Sequence, residues 1–224
     1  PAADVSAGIA VGHAKSPLQD LVRSARAAEK RAKTRYDRAA FALSIFKRSG
    51  EQVHWGAKWS ASASAADDGW SDAPSPGLKL LNEIHEALRR PEGRESLESR
   101  FPHKITALLE PYLGGAPLPG EQAGDPAPRA DPAFERNAEG ILKAEFEHCV
   151  SRSQCSADFK TRLLGDFEAY LQALAAPGED GDTLPLHGQM ADAYALLQAV
   201  AWLNKNTRSE EPETSNQEPA STHA

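Results

Sequence analysis

The feature that most constrains the fold is a run of small and aliphatic residues followed closely by a long amphipathic segment. Residues 5–12, Val-Ser-Ala-Gly-Ile-Ala-Val-Gly, contain no breaker except glycine and predict a buried strand that another backbone approaches closely. Ser16-Pro17 then indicates a helix start, because a proline at the first helical position leaves no N–H unpaired. Apolar residues recur at three- and four-residue steps from Leu18 to Tyr36, which predicts one helix with a single apolar stripe.

The predicted helix also carries a basic flank. At 100° per residue, Arg23, Arg26, Lys30 and Lys33 fall on one side, beside the apolar stripe. Residues 1–60 contain 11 Lys and Arg against 5 Asp and Glu, a balance of +6, although the whole chain has a net charge of −7. Cations beside a strand–helix crevice hold phosphate groups through charge-assisted hydrogen bonds. The alternative is a solvated helix face, and the charge pattern alone leaves both open.

Two further strands follow the helix. Phe41, Leu43 and Ile45 alternate with Ala42, Ser44 and Phe46, which is a strand pattern. Residues 47–51 form a turn into residues 52–55, so a hairpin is predicted. The first 59 residues therefore predict a β-α-β-β unit. Three strands and one helix bury little apolar surface alone, so we expect packing partners from the rest of the chain or from sequence upstream.

The remainder of the chain is predicted to be helical. Residues 60–75 have the composition of a linker, residues 76–205 carry helical stripes, and residues 206–224 have almost no apolar content and should form a disordered tail. Within the helical part, residues 114–132 hold nine Gly and Pro and predict a long loop. The fold class predicted from these patterns is α+β, a small sheet unit followed by an all-α bundle.

Composition limits the location and the chemistry of the protein. No apolar run approaches the roughly 18 residues that a membrane span needs, and the N-terminus lacks a signal-peptide layout. The two cysteines, Cys149 and Cys155, do not make a disulfide framework, so the cytoplasm is the expected compartment.

Three other groups of residues have weaker functional interpretations. His148, Cys149 and Cys155 are possible zinc ligands, but no second ligand pair accompanies them, and ordinary thiols near a helix end are the favoured interpretation. The Asp67-Asp68-Gly69 segment lies in a Ser/Ala-rich stretch and reads as a solvated loop. Gly114-Gly115 is followed by no helix within reach, so it is not a phosphate cradle.

Tryptophans cluster at the end of the sheet unit. Trp55, Trp59 and Trp70 are close in sequence, and aromatic residues in single-strand binders stack on bases. The favoured alternative is that they close the hairpin over a core.

Residues 5–59 resemble the large subunit of type III CRISPR effector complexes, and most closely the III-B branch. The matching elements occur in order: Ser6-Ala7-Gly8-Ile9-Ala10, Pro17-Leu18, Ala25, Ala28-Glu29-Lys30-Arg31-Ala32-Lys33, residues 38–43, residues 47–50 and Trp55-Gly56. The helical remainder fits the C-terminal helical domain of that family in position and type only.

More distantly, the same block resembles the second half of GGDEF-type diguanylate cyclase domains. On that match Lys33 takes a phosphate-contacting role. The arginine expected four residues after the lysine is Asp37 here, with Arg38 one place later. The nucleotide-binding residues that we predict are Lys33, Lys30, Arg38, Gly8 and His13; no catalytic or metal-binding residue is predicted in this chain.

The resemblance implies a partial ferredoxin-like palm over residues 1–59, related to polymerases. The intact subunit would use ATP with Mg²⁺ or Mn²⁺ to make cyclic oligoadenylate when target RNA is bound. Its partners would be the small and backbone subunits, guide RNA and target RNA, with no membrane. The family's metal-binding carboxylates lie in a Gly-Gly-Asp-Asp hairpin, which this sequence does not contain.

The chain begins at Pro1 inside this unit, so we expect it to be the C-terminal part of a larger subunit, inactive alone and holding no cofactor by itself. Two alternatives remain. One is a non-enzymatic helical adaptor that scaffolds an RNA complex, and the other is a diguanylate-cyclase-like signalling remnant.

Overall fold

A three-stranded mixed sheet lies between one helix and a group of five others. The computed structural model describes residues 5–60, 73–90, 95–113, 132–176 and 186–208, with residue 184. The strands are β1 (Ala7–Val11), β2 (Ala40–Phe46) and β3 (Gln52–Lys58). The helices are α1 (Leu18–Thr34), α2 (Pro76–Arg89), α3 (Phe101–Leu109), α4 (Pro132–Ser151), α5 (Ala157–Ala175) and α6 (Leu186–Arg208), and a 3₁₀ turn at Glu110–Leu113 follows α3.

The sheet has the order β1-β2-β3. β1 and β2 are parallel, with Ile9 opposite Leu43, and α1 forms the crossover between them. β2 and β3 form the predicted antiparallel hairpin, with Leu43 opposite Trp55. The α+β class is therefore confirmed, and most of the described residues are helical.

Strand periodicity gives the sheet two different faces. Ala40 and Ala42 point toward α1, where they form a small core with Ala28, Ala32 and Tyr36. The alternate residues point toward the other helices and join the main core, which includes Phe41, Trp55, Leu80, Ile84, Phe146, Phe167 and Leu196. The face with small side chains, which we call the small face, lets α1 approach closely. The opposite face carries large side chains and packs on α2 and α6; we call it the large face.

Gly8 allows the close approach of α1 to β1. A Cβ atom built on Gly8 would overlap the carbonyl oxygen of Ala25 and the backbone nitrogen of Glu29. The small-residue strand predicted from the sequence therefore has a packing reason at this position.

A buried carboxylate joins the sheet unit to the helical group. Asp192 of α6 is fully buried. It accepts hydrogen bonds from the hydroxyls of Tyr36 and Tyr170, each at 2.9 Å, and pairs with the Arg35 guanidinium at 3.1 Å. The Trp55 indole N–H donates to the Tyr170 oxygen at 3.3 Å. This network connects the end of α1, strand β3, α5 and α6 in one set of contacts.

Several helices begin where the sequence supplies a cap. The Ser75 hydroxyl accepts from the Leu78 N–H at the start of α2, and Ser156 accepts from Phe159 at the start of α5. The helices α2 and α5 contain the apolar stripes by which the sequence predicted them. In the part of the chain that the structure describes, no helix has the length and apolarity to cross a lipid bilayer.

The predicted domain division stays a prediction. Most of the proposed linker, all of the predicted loop at 114–132 except Pro132, and the tail beyond residue 208 lie outside the described residues. Pro132 is the first residue of α4. α6 extends to Arg208, three positions into the predicted tail. The described sheet and helices share the main core, so the sheet is supported by the helical group on its large face.

We expect Gly8→Ala to destabilise the fold by about 1–3 kcal/mol, because the new methyl group must push α1 away from β1. The measurement is the free energy of unfolding in urea. Gly165→Ala is the matched control: this helical glycine has open space at its Cβ position. That variant should gain about 0.5–1 kcal/mol. A Gly8→Ala protein as stable as the parent would contradict the close approach.

We expect Asp192→Ala to cost about 3–5 kcal/mol, because it leaves two buried hydroxyls and a guanidinium without their shared acceptor. Thermal or urea unfolding measures the loss. The control is Glu147→Ala, on the exposed side of α4, which should stay within about 0.5 kcal/mol of the parent. Equal stability of both variants would show that the network does not hold the two parts together.

Candidate functional site

The strongest candidate site is a cationic recess at the end of the sheet where β1 begins. Val5, Ser6, Lys33 and Arg38 line a cavity of about 420 Å³. That volume lies in the range of small-ligand pockets. The recess combines the last turn of α1, the turn that follows it and the segment that leads into β1. Two of the predicted nucleotide-binding residues, Lys33 and Arg38, are therefore brought together.

An unusual turn places Arg38 in the recess. After α1 ends, Asp37, Arg38 and Ala39 have φ values of 54°, 54° and 41°. Left-handed conformations are unfavourable for residues with a Cβ, at roughly 1–2 kcal/mol each. Three hydrogen bonds hold the turn: the Arg38 N–H donates to the Ala32 carbonyl at 3.1 Å, the Trp59 N–H donates to the Ala39 carbonyl at 3.0 Å, and Lys58 donates to the Asp37 carboxylate at 3.4 Å.

The two cations of the recess have different surroundings. The Lys33 ammonium pairs with the Glu29 carboxylate at 2.6 Å, one helical turn earlier. Lys33 holds the pKa of Glu29 below its usual value. Both side chains are about half exposed, and exposed pairs of this kind are weak. Among the described residues, the Arg38 guanidinium has no hydrogen-bond or ion-pair partner. An incoming anion would therefore meet one available cation and one that is only weakly occupied.

The other predicted nucleotide-binding residues lie elsewhere. Lys30 is exposed on α1 and does not line the recess. His13 follows the opposite end of β1, and its Nδ1 accepts from the Lys15 N–H at 3.1 Å. Gly8 is occupied by its contact with α1. The predicted basic flank is thus divided, because only its last residue, Lys33, reaches the recess.

A second polar cluster lies between α1 and the sheet. The Arg31 guanidinium donates to the Ser44 hydroxyl at 2.7 Å and lies 3.2 Å from the His54 Nδ1 atom. The Ser44 oxygen and His54 Nδ1 are 3.0 Å apart. Arginine only donates, so Nδ1 is the acceptor and the neutral ring carries its proton on Nε2. Ser44 is fully buried, which keeps its hydroxyl away from a substrate. The serine–histidine pair, together with Arg31, therefore holds α1 against the sheet.

The cysteines fit the interpretation as ordinary thiols. Cys149 and Cys155 are buried and free, and burial raises the pKa of both thiols. Cys149 lines an apolar cleft of about 350 Å³ between α3 and the end of α4. No group of three His, Cys, Asp or Glu side chains in the described ranges is arranged to hold a metal ion. Asp67-Asp68-Gly69, Gly114-Gly115 and Trp70 lie outside those ranges.

The two tryptophans in the described residues differ in burial. Trp55 is 1% exposed and belongs to the main core, as expected for a residue that closes a hairpin. Trp59 remains 37% exposed beside the turn at Ala39. The bond from its backbone N–H to the Ala39 carbonyl could not be predicted from the sequence, because it depends on the left-handed turn.

Comparison with known proteins adds no relative: no family model matches the chain, and neither a curated protein nor a solved structure does. The functional argument therefore depends on the residues and their geometry.

We expect the stability of the protein to fall as the pH drops from about 6.5 toward 4, with His54 contributing to the fall. Burial, reinforced by Arg31, lowers the pKa of His54 from 6.5 to about 4. The unfolded chain binds the His54 proton first, so the stabilisation present above pH 6.5 is lost as the pH approaches 4. Thermal unfolding at a series of pH values measures it.

The comparison variant is His54→Gln, which has no titrating ring. Between pH 6.5 and 5, the melting temperature of the parent should fall more than that of the variant. Parallel curves would contradict a depressed pKa for His54.

Proposed function

We propose that the recess binds the phosphate groups of a nucleotide. The observation that carries the proposal is the convergence of Lys33, Arg38 and Ser6 in one cavity. Two cations and a hydroxyl provide charge and hydrogen-bond donors for phosphate oxygens. The guanidinium of Arg38 has donors in a planar fork, which suits a tetrahedral anion better than an isolated point charge does.

We further propose that this nucleotide is ATP and that the chain is part of the large subunit of a type III CRISPR effector. The support is the sequence resemblance of residues 5–59, together with a β-α-β-β unit that fits a partial ferredoxin-like palm. The intact subunit would then make cyclic oligoadenylate on target-RNA binding. Within it, this chain would position phosphates through Lys33 and Arg38, and the helical part would dock the other subunits.

Nucleotide transfer of this kind needs metal ions. The described residues of this chain contain no cluster of side chains that could hold one. The resemblance assigns Mg²⁺ or Mn²⁺ to carboxylates of the Gly-Gly-Asp-Asp hairpin, so the metal would activate the attacking hydroxyl outside this chain. The role proposed for Lys33 and Arg38 is limited to binding and orienting phosphate.

A helical adaptor without enzymatic function is the second candidate. One observation favours it: among the described strands, β1 pairs only with β2, and apolar side chains on β1 and on α1 are exposed. Ile9 is 42% exposed, Val22 42% and Leu18 74%. Exposed apolar residues at an unprotected sheet edge are typical of a docking surface. An adaptor would use this edge and would not need the recess to bind ATP.

We expect Lys33→Ala and Arg38→Ala each to weaken ATP binding by about tenfold to a hundredfold, because each removes a charge-assisted bond to phosphate. Isothermal titration calorimetry with ATP, made on the intact subunit, measures the dissociation constants. Stability should change little, since both side chains are exposed.

Arg23→Ala is the matched control. Arg23 belongs to the same basic flank but pairs with Asp20 near the other end of α1, at 3.1 Å. This variant should bind ATP nearly as the parent does. If all three variants and the parent bind alike, the flank is a solvated helix face and the adaptor is the better description.

A further inference from the structure

The cleft between α3 and the end of α4, which we call the α3–α4 cleft, is built by two helical faces. Its volume is about 350 Å³. On one wall, Phe101, Lys104 and Leu108 recur at steps of three and four residues, so they share one face of α3. On the other wall, Arg152 follows His148 by four residues, and its backbone N–H donates to the His148 carbonyl at 3.3 Å. The cleft is therefore about 10 Å long, the rise of α3 between its first and last lining residues.

The lining of the cleft is mostly apolar and is only partly covered by the protein. Phe101 is 2% exposed and Cys149 is 9% exposed, whereas Leu108 keeps 37% of its surface exposed. An alkyl chain lying in the cleft would remove apolar surface from water at Leu108, and this burial is favourable.

Two cations belong to the same lining. The Lys104 ammonium pairs with the Glu98 carboxylate at 2.6 Å, but both side chains are more than half exposed, so the pair is weak. Among the described residues, the Arg152 guanidinium has no hydrogen-bond or ion-pair partner. Burial and the Glu145 carboxylate raise the pKa of the Cys149 thiol, whereas Lys104 and Arg152 lower it. Both cations therefore lie close enough to act on the apolar part of the cleft.

The charge around the cleft differs from that of the sequence to which it belongs. Residues 61–224 carry 14 Lys and Arg against 27 Asp and Glu. Within this acidic part of the chain, the lining contains Lys104 and Arg152 against one carboxylate, that of Glu98. An apolar cleft with an excess of positive charge is complementary to a molecule that has an apolar chain and an anionic end.

We propose that the α3–α4 cleft binds a medium-chain fatty carboxylate. The alkyl chain lies against Phe101 and Leu108. The carboxylate contacts Arg152, whose planar guanidinium matches its two oxygens, and Lys104 adds a second charge. The proposal uses no residue of the recess and does not depend on nucleotide binding.

The experiment separates recognition of the alkyl chain from recognition of the carboxylate. Calorimetry on the full-length protein measures the binding of butyrate, hexanoate, octanoate, decanoate and decanol. Affinity should rise by about three- to fourfold for each added methylene until the cleft is filled. Decanoate should bind at least about tenfold more tightly than decanol, because only the carboxylate forms charge-assisted bonds.

Two variants assign the two ends of the ligand. Arg152→Gln should lose about tenfold in decanoate affinity and keep its affinity for decanol. Leu108→Gln should weaken the binding of both. Arg48→Gln is the matched control, because Arg48 is exposed on the turn between β2 and β3 and does not line the cleft. All three positions are exposed, so urea unfolding should show little change in stability.

Cys149 gives a readout of where the ligand lies. Decanoate should slow the alkylation of Cys149 by N-ethylmaleimide, measured by peptide mass spectrometry, because the thiol lines the cleft.

Three results would each overturn the proposal. Equal affinities for decanol and decanoate would show that the cations do not recognise a carboxylate. Decanoate that neither binds nor protects Cys149 would mean that the cleft is no site for such a ligand. Alkylation of Cys149 that slows with rising protein concentration, and not with decanoate, would assign the cleft to an interface between two copies of the chain.

Discussion

The buried carboxylate of Asp192 is the interaction on which the arrangement of the molecule depends. Burial raises its pKa, while the Arg35 charge and the two tyrosine hydroxyls oppose that rise. The pKa values of Tyr36 and Tyr170 are raised well above normal by burial and by the nearby carboxylate, so both hydroxyls stay protonated and donate. An isolated charge at this depth would be very costly, and its three partners make it tolerable only in one geometry. That geometry fixes the end of α1 against α5 and α6.

Fixing the end of α1 also determines where the recess forms. Arg35 and Tyr36 are held toward α6, on the side of the helix that faces the sheet and the helical group. Lys33 lies on the other side of α1 and remains about half exposed. The chain then leaves Tyr36 toward β2 and has to reverse direction within a few residues. The end of α1 is anchored to Asp192 through Arg35 and Tyr36. This anchoring leaves Lys33 facing solvent beside β1, and the recess forms there as a result.

The sequence predicted the elements well because each has its own periodicity. Alternation in residues 41–46 and the three- and four-residue steps of α1, α2 and α5 are local signals, and they placed strands and helices within a few residues of their observed bounds. The site was predicted only in part. Lys33 and Arg38 were named, and the structure brings them together, but Lys30, His13 and Gly8 lie away from the recess. The helical periodicity shows which basic residues share a side of α1, but not which of them lies next to the segment that leads into β1. The buried role of Asp192 gave no sequence signal either, because a single acidic residue among alanines on α6 resembles any solvated one.

The left-handed turn determines how Arg38 reaches the recess although it lies five positions after Lys33. An arginine four residues after Lys33 would lie near it on a continuing helix, and Asp37 occupies that place instead. With the helix ended at Thr34, side chains no longer follow that rule, and three consecutive residues with positive φ fold the chain back. Arg38 then reaches the same cavity as Lys33 despite its later position. The turn contains no glycine, so its backbone is strained, and the bonds from Trp59 and Lys58 hold it in place. The bond from Trp59 is made by its backbone N–H, so the turn depends on the course of the chain as it leaves β3 and not on the indole side chain.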